Sequence, residues 1–190
     1  GGSPLMLPLS FPQSGAVSQA SSVTQPLAAG ATLLIESSGA MNLLTGSAQL
    51  ATTGSISGFE IFRHNGQEAV VPLETRNANA YVLAFDNTGG TATGIAINNV
   101  SATKPVTIPV VLRDDSGNQL AADSLPLAAN GDFAGNLAQF SSTLGRILFP
   151  EAVNIRGTVE FDAPAGVQIG VIGVRTPPTL TYTSLPALAK

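Results

Sequence analysis

The two halves of the chain repeat one another, and this constrains the fold more than any motif does. Pro26-Leu27-Ala28-Ala29-Gly30 recurs as Pro126-Leu127-Ala128-Ala129-Asn130-Gly131. Gly46-Ser47-Ala48-Gln49-Leu50, running on to Phe62-Arg63, recurs as Gly157-Thr158-Val159-Glu160-Phe161, running on to Val174-Arg175. Val71-Pro72-Leu73 then matches Leu185-Pro186-Ala187. Three matches in one order indicate a module used twice, and a repeated supersecondary unit sets the architecture before any local reading. The module boundary is placed at residue 76, giving modules 1–76 and 77–190.

The copies are unequal. The second has a front section, Tyr81 to Asp115, before its Gly117-Asn118-Gln119-Leu120 turn. The first begins at the matching Gly1-Gly2-Ser3-Pro4-Leu5. The span from Pro26 to Gly46 is 20 residues and that from Pro126 to Gly157 is 31. The expectation is a C-terminal piece of a longer protein. Its first module lacks two front strands or receives them from another chain.

Alternation and turn punctuation give the elements. Short β-type runs are read at 31–36, 46–53, 55–63, 69–73, 81–85, 91–100, 106–113, 119–127, 157–161, 167–175 and 179–183. Asp114-Asp115-Ser116-Gly117-Asn118 is a hairpin turn, because Asp and Asn tolerate a left-handed backbone and Gly supplies it. Several short strands at regular spacing imply β-sandwiches. One segment differs. Phe133, Leu137, Phe140 and Leu144 fall at helical spacing, with Asp132 as N-cap and Gly145 near the end, so a short helix is expected within 133–146. The fold class is all-β: two tandem Ig-like sandwich modules, the first incomplete at its N-terminus, with one short helix in the second.

Composition narrows the function classes. Charged residues are 11%, against about 25% in ordinary soluble domains. Ser, Thr, Asn and Ala take the exposed positions, as suits an extracellular or cell-surface β-protein. The net charge is −4 and no two of the eight basic residues are adjacent. That argues against nucleic acid, which needs a basic stripe to neutralise phosphates. No apolar run approaches the ~20 residues of a membrane-spanning helix. There is no cysteine, hence no disulfide and no thiolate metal site.

No constellation carries catalysis. His64, the single histidine, stands beside the Asn65-Gly66 turn, where a solvated side chain is the ordinary role. Gly54-Ser55-Ile56-Ser57-Gly58 puts Ile56 where a nucleophile elbow needs Ser. Asp114, Asp115 and Asn118 fall short of the six to eight oxygens calcium takes. Glu60, Glu160 and Asp162 lack the Trp platforms of a sugar cleft. Arg63 and Arg175, at one module position, read as ties to a loop or carboxylate. Thr88 to Gly94 is Gly-rich, but no helix or Lys makes it a phosphate cradle. Asn99-Val100-Ser101 is a formal glycosylation sequon. No catalytic residue, cofactor site or metal site is assigned.

The stretches Glu68-Ala69-Val70-Val71-Pro72-Leu73-Glu74-Thr75-Arg76-Asn77, Tyr81-Val82-Leu83-Ala84-Phe85-Asp86-Asn87-Thr88-Gly89-Gly90, Thr93-Gly94-Ile95-Ala96-Ile97-Asn98-Asn99, Leu112-Arg113-Asp114-Asp115-Ser116-Gly117, Leu127-Ala128-Ala129-Asn130-Gly131 and Arg156-Gly157-Thr158-Val159-Glu160-Phe161 carry a resemblance. Across most of residues 26–190 the chain resembles a repeat module of secreted or cell-surface multidomain bacterial proteins of acidobacterial type. The resemblance implies extracellular β-sandwiches without known catalysis, and a strand pair preceding the segment matched by residues 3–11.

The reading is a non-enzymatic extracellular structural or adhesive protein, in its sharper form a filament subunit assembling by β-strand complementation. Its partners are further copies or neighbouring domains of the same protein. In Ser3 to Phe11 the apolar residues Leu5, Leu7, Leu9 and Phe11 alternate, the pattern of a strand that fills a groove, and they are the candidate exchange residues. The alternative is an accessory module of a larger secreted protein, binding a surface glycan or a protein ligand through its loops.

Overall fold

The computed structural model describes residues 2–38, 45–64, 66–179 and 181–190, the His64 side chain excepted. Strand dominates; the helical residues described are two three-residue 3-10 turns, Thr88–Gly90 and Pro150–Ala152. Among the described residues no helix is long and apolar enough to cross a membrane. Packing divides the chain into two compact units, Ser3–Gly46 and Gly1–Gly2 with Ser47–Lys190. The 76/77 boundary, a statement about the repeat, lies inside the second.

The smaller unit holds β1 (Leu7–Phe11), β2 (Ala16–Ala20) and β3 (Glu36–Ser37) as one antiparallel sheet in the order β2-β1-β3. The β1–β2 turn closes on the Phe11 carbonyl, which accepts from the Gly15 amide at 2.9 Å. Gly15 has φ 71°, a conformation that disfavours a residue with a Cβ. The strand expected over 31–36 is confined to Glu36–Ser37.

Residues 45–58, most of them in the larger unit, form no strand, although one is expected over 46–53. The hairpin of β4 (Phe59–His64) and β5 (Gln67–Pro72) follows as a separate two-stranded sheet. Then come β6 (Ala80–Asp86), β7 (Ala92–Asn99), β8 (Val106–Asp114), β9 (Gln119–Leu127) and β10 (Asp132–Asn136). They are followed by β11 (Phe140–Ser141), β12 (Arg146–Ile147), β13 (Arg156–Asp162), β14 (Ile169–Thr176), β15 (Thr183–Pro186) and β16 (Leu188–Ala189). β11 and β12 pair with each other; the rest make a five-stranded sheet, β16-β6-β13-β8-β9, and a four-stranded sheet, β10-β7-β14-β15. Every pairing is antiparallel.

One core joins the two sheets because alternation runs true on both. Tyr81, Leu83 and Phe85 from β6, Ile108, Val110 and Leu112 from β8, and Val159 and Phe161 from β13 are buried. They share that core with Ile95 and Ile97 from β7 and with Ile169 and Val171 from β14. The period of two sends these side chains to one face of each strand. Each fully buried aliphatic or aromatic side chain contributes roughly 1.5–3 kcal/mol relative to exposure.

The expected helix within 133–146 is not formed. Asp132–Asn136 is strand β10, paired with β7 through Phe133↔Ile97 and Gly135↔Ile95. A spacing of four residues is even, so it serves a strand as well as a helix. Phe133 and Leu137 are both buried by the sheet route, while Phe140 is exposed. A free hydrogen-bonding edge on β7 settles the choice, supplying partners that a short isolated helix would lack. The last strand also shifts, from the expected 179–183 to Thr183–Pro186; Leu180 lies outside the described residues.

Candidate functional site

The repeat alignment, Arg63 with Arg175, makes the β4–β5 hairpin the counterpart of β14–β15, and both hairpins form. Phe59 and Ile61 then hold the places of Val171 and Gly173, and Leu50 holds that of Phe161. In the second copy those places are buried: Val171 is 6% exposed and Phe161 0%. In the first copy Phe59 is 68% exposed, Leu50 58% and Ile61 42%. Val70, opposite Ile61, is also exposed. The β4–β5 hairpin thus presents Phe59, Ile61 and Val70 on one exposed face.

The hairpin is held by its other face. Ala69 is buried, and the Phe62 ring stands 5.8 Å from that of Tyr182. Arg63 pairs across the strands with Glu68. Among the described residues β4 is paired with β5 alone. Its counterpart β14 is paired on both sides, with β15 and with β7 along its whole length. Segment 46–50 likewise stays out of any strand, whereas its counterpart in β13 is paired with both β6 and β8. Among the described residues no strand stands beside β4 as β7 stands beside β14, or beside segment 46–50 as β6 stands beside β13.

The candidate strand-exchange residues are placed as follows. Leu5 precedes β1 and is partly exposed; Leu7 and Leu9 are half-buried, and Phe11 is buried. Leu7, Leu9 and Phe11 share one face of β1. β1 is the central strand of its sheet, paired with β2 from Leu7 to Phe11 and with β3 at Leu9 and Ser10. Sequence reasoning passed over Phe59, Ile61 and Val70. Carrying the Arg63–Arg175 match back four residues onto core positions would have found the first two.

Asp114 and Asn99 hold turns and loops together. The Asp114 carboxylate closes the β8–β9 turn, accepting from the amides of Ser116 at 2.9 Å and Asn118 at 2.8 Å and from Asn118 Nδ2 at 3.0 Å. The Asn118 side chain, with these amides, holds the carboxyl below its usual range. Asn99 of the sequon is fully buried. Its Nδ2 donates to the carbonyls of Lys104 at 2.8 Å and Ala128 at 2.9 Å, and its Oδ1 accepts from the Ser101 amide at 3.0 Å. Arg175 stands 4.0 Å from Asp86. Glu60 is exposed on β4. The His64 side chain and Asn65 lie outside the described residues. Among the described residues no group of three or more His, Cys, Asp or Glu side chains gathers as a metal site.

Glu160 and Asp162 do come together, around a cation. Lys190 Nζ donates to Glu160 at 3.0 Å and to Asp162 at 3.1 Å, and Arg113 Nε donates to Glu160 at 3.0 Å. The Lys190 hydrogen bond, with the Arg113 one, holds the Glu160 carboxyl below its usual range. Partial burial pulls the Lys190 ammonium down, but the two carboxylates outweigh it and raise its pKa. The Lys190 amide also donates to the Ala80 carbonyl at 3.0 Å, so the network fastens β16 to the edge of the five-stranded sheet. At the same end of β6, the Arg76 guanidinium lies 5.2 Å over the Tyr81 ring and donates to the Ala187 carbonyl at 2.7 Å.

No family model, curated protein or solved structure matches the chain.

Proposed function

We propose that this is a non-enzymatic structural or adhesive protein of the cell exterior, built of Ig-like sandwich modules and assembled by β-strand complementation. The observation that carries the reading is the exposed apolar face of Phe59, Ile61 and Val70 on the β4–β5 hairpin, beside the outer edge of β4. Large apolar side chains placed together on a soluble surface mark an interaction site, and an unpaired strand edge is a template for another strand. The paired and buried state of the same positions in the second copy supports assembly as the role of the face. The neutral polar surface and the low share of charge support an exterior location. Immunogold electron microscopy of native material tests the reading. Label on extracellular fibres or on the cell surface is expected; label confined to the cytoplasm would overturn it.

A further inference from the structure

Resting on that reading, we infer that the outer edge of β4 over Phe59–Phe62 accepts one extended, uncharged polypeptide strand from a partner, with branched apolar residues at alternate positions. The chemistry of the occupant follows from what covers the same place in the second copy. β14 is paired there with β7, Ala-Thr-Gly-Ile-Ala-Ile-Asn-Asn, which carries no charge and sends Ile95 and Ile97 into the core. The register sets Gly173 opposite Ile95 and Val171 opposite Ile97. By the repeat, Ile61 and Phe59 each await a residue of that kind.

A strand fits this place better than the flat face of a second copy. Phe59, Ile61 and Val70 together offer about 300 Å², judged against the roughly 150–250 Å² of a whole aromatic side chain. A stable two-chain interface takes roughly 800 Å² per partner. Strand addition makes up the difference with main-chain hydrogen bonds, while alternate side chains fill the pockets. In a second copy the strands β7 and β1, which have that alternation, are already engaged. Its β7 is paired with both β10 and β14, and its β1 with both β2 and β3. Pro8 also removes one amide donor from β1.

The test is amide hydrogen exchange on the full chain, with a synthetic peptide of the sequence of residues 91–100 in excess. The expected result is slowed exchange over Phe59–Phe62, absent with a scrambled peptide. Ile61→Lys should weaken the effect at least about tenfold, since a Lys on an edge strand opposes pairing. Phe59→Lys serves as a second variant, and an unchanged far-UV spectrum certifies each. Equal protection by the scrambled peptide would overturn the inference. So would protection confined to β10 and β14, which is displacement of β7, or protection by a Ser3–Phe11 peptide in its place. Concentration-dependent protection without any peptide would assign the edge to a second copy and overturn the inference too. Extracellular fibres whose β4 amides exchange freely would sink this acceptor site and leave the assembly reading standing. Peptide binding by a cytoplasmic protein would do the reverse.

Discussion

Gly157 sits against the Arg113 carbonyl so closely that a Cβ on Gly157 would stand 2.0 Å from that oxygen. Backbone on both sides leaves nothing to move aside, because β13 is held between β6 and β8. Gly157→Ala should therefore destabilise the chain by about 3 kcal/mol, the upper end of ordinary overpacking. Its repeat counterpart Gly46 meets only the tip of the Leu5 side chain, at 2.6 Å. Gly46→Ala should stay within about 0.5 kcal/mol. Urea unfolding of the two variants checks the contrast, and equal losses would contradict it.

Phe161 and Leu50 make a second matched pair. Phe161→Ala removes a fully buried ring and should cost about 3–5 kcal/mol. Leu50→Ala should change stability by no more than about 0.5 kcal/mol, since its side chain is mostly in water already. Thermal denaturation of both, measured on dilute protein, separates a core position from a vacant one.

Asn99 ties three backbone groups together inside the fold. Asn99→Ala leaves two buried carbonyls and one amide without that partner, and a loss of about 2–3 kcal/mol is expected. Asn99→Asp should cost as much, because a carboxylate cannot donate to the Lys104 and Ala128 carbonyls. Recovery of full stability in either variant would show that water satisfies the site.

Glu160 sets a pH dependence. Its folded pKa is depressed, chiefly by the Lys190 hydrogen bond. The unfolded chain therefore binds a proton first as pH falls. The contribution is present above the ordinary glutamate range, about 4.3, and is lost as pH falls through the lower folded value. Lys190 shifts the other way, and its part fades only as pH rises above the ordinary lysine range, about 10.4. Glu160→Gln should lower stability at pH 7 by about 1 kcal/mol, the upper range for partly exposed pairs. It should also flatten the acid limb of the stability curve. Chemical denaturation from pH 2 to 7 measures both effects.

Period-two patterning alone determined most of the larger unit. The strand over 106–113, the Asp114–Asn118 turn and the strand after it were legible because alternation and turn chemistry are local properties. Segment 133–146 was not, because a four-residue spacing satisfies a helix and a strand alike; the open edge of β7 chose the strand. The inequality of the repeats was legible in their residue spacing. Its consequence at Phe59 and Ile61 was not, since burial depends on what packs against a side chain and not on the side chain. Leu50 and Phe161 occupy one position in the repeat, yet one lies in water and the other in the core. Sequence determined which positions are built for a core. The tertiary structure decided which of them have one, because a strand buries its face only where a second sheet lies opposite.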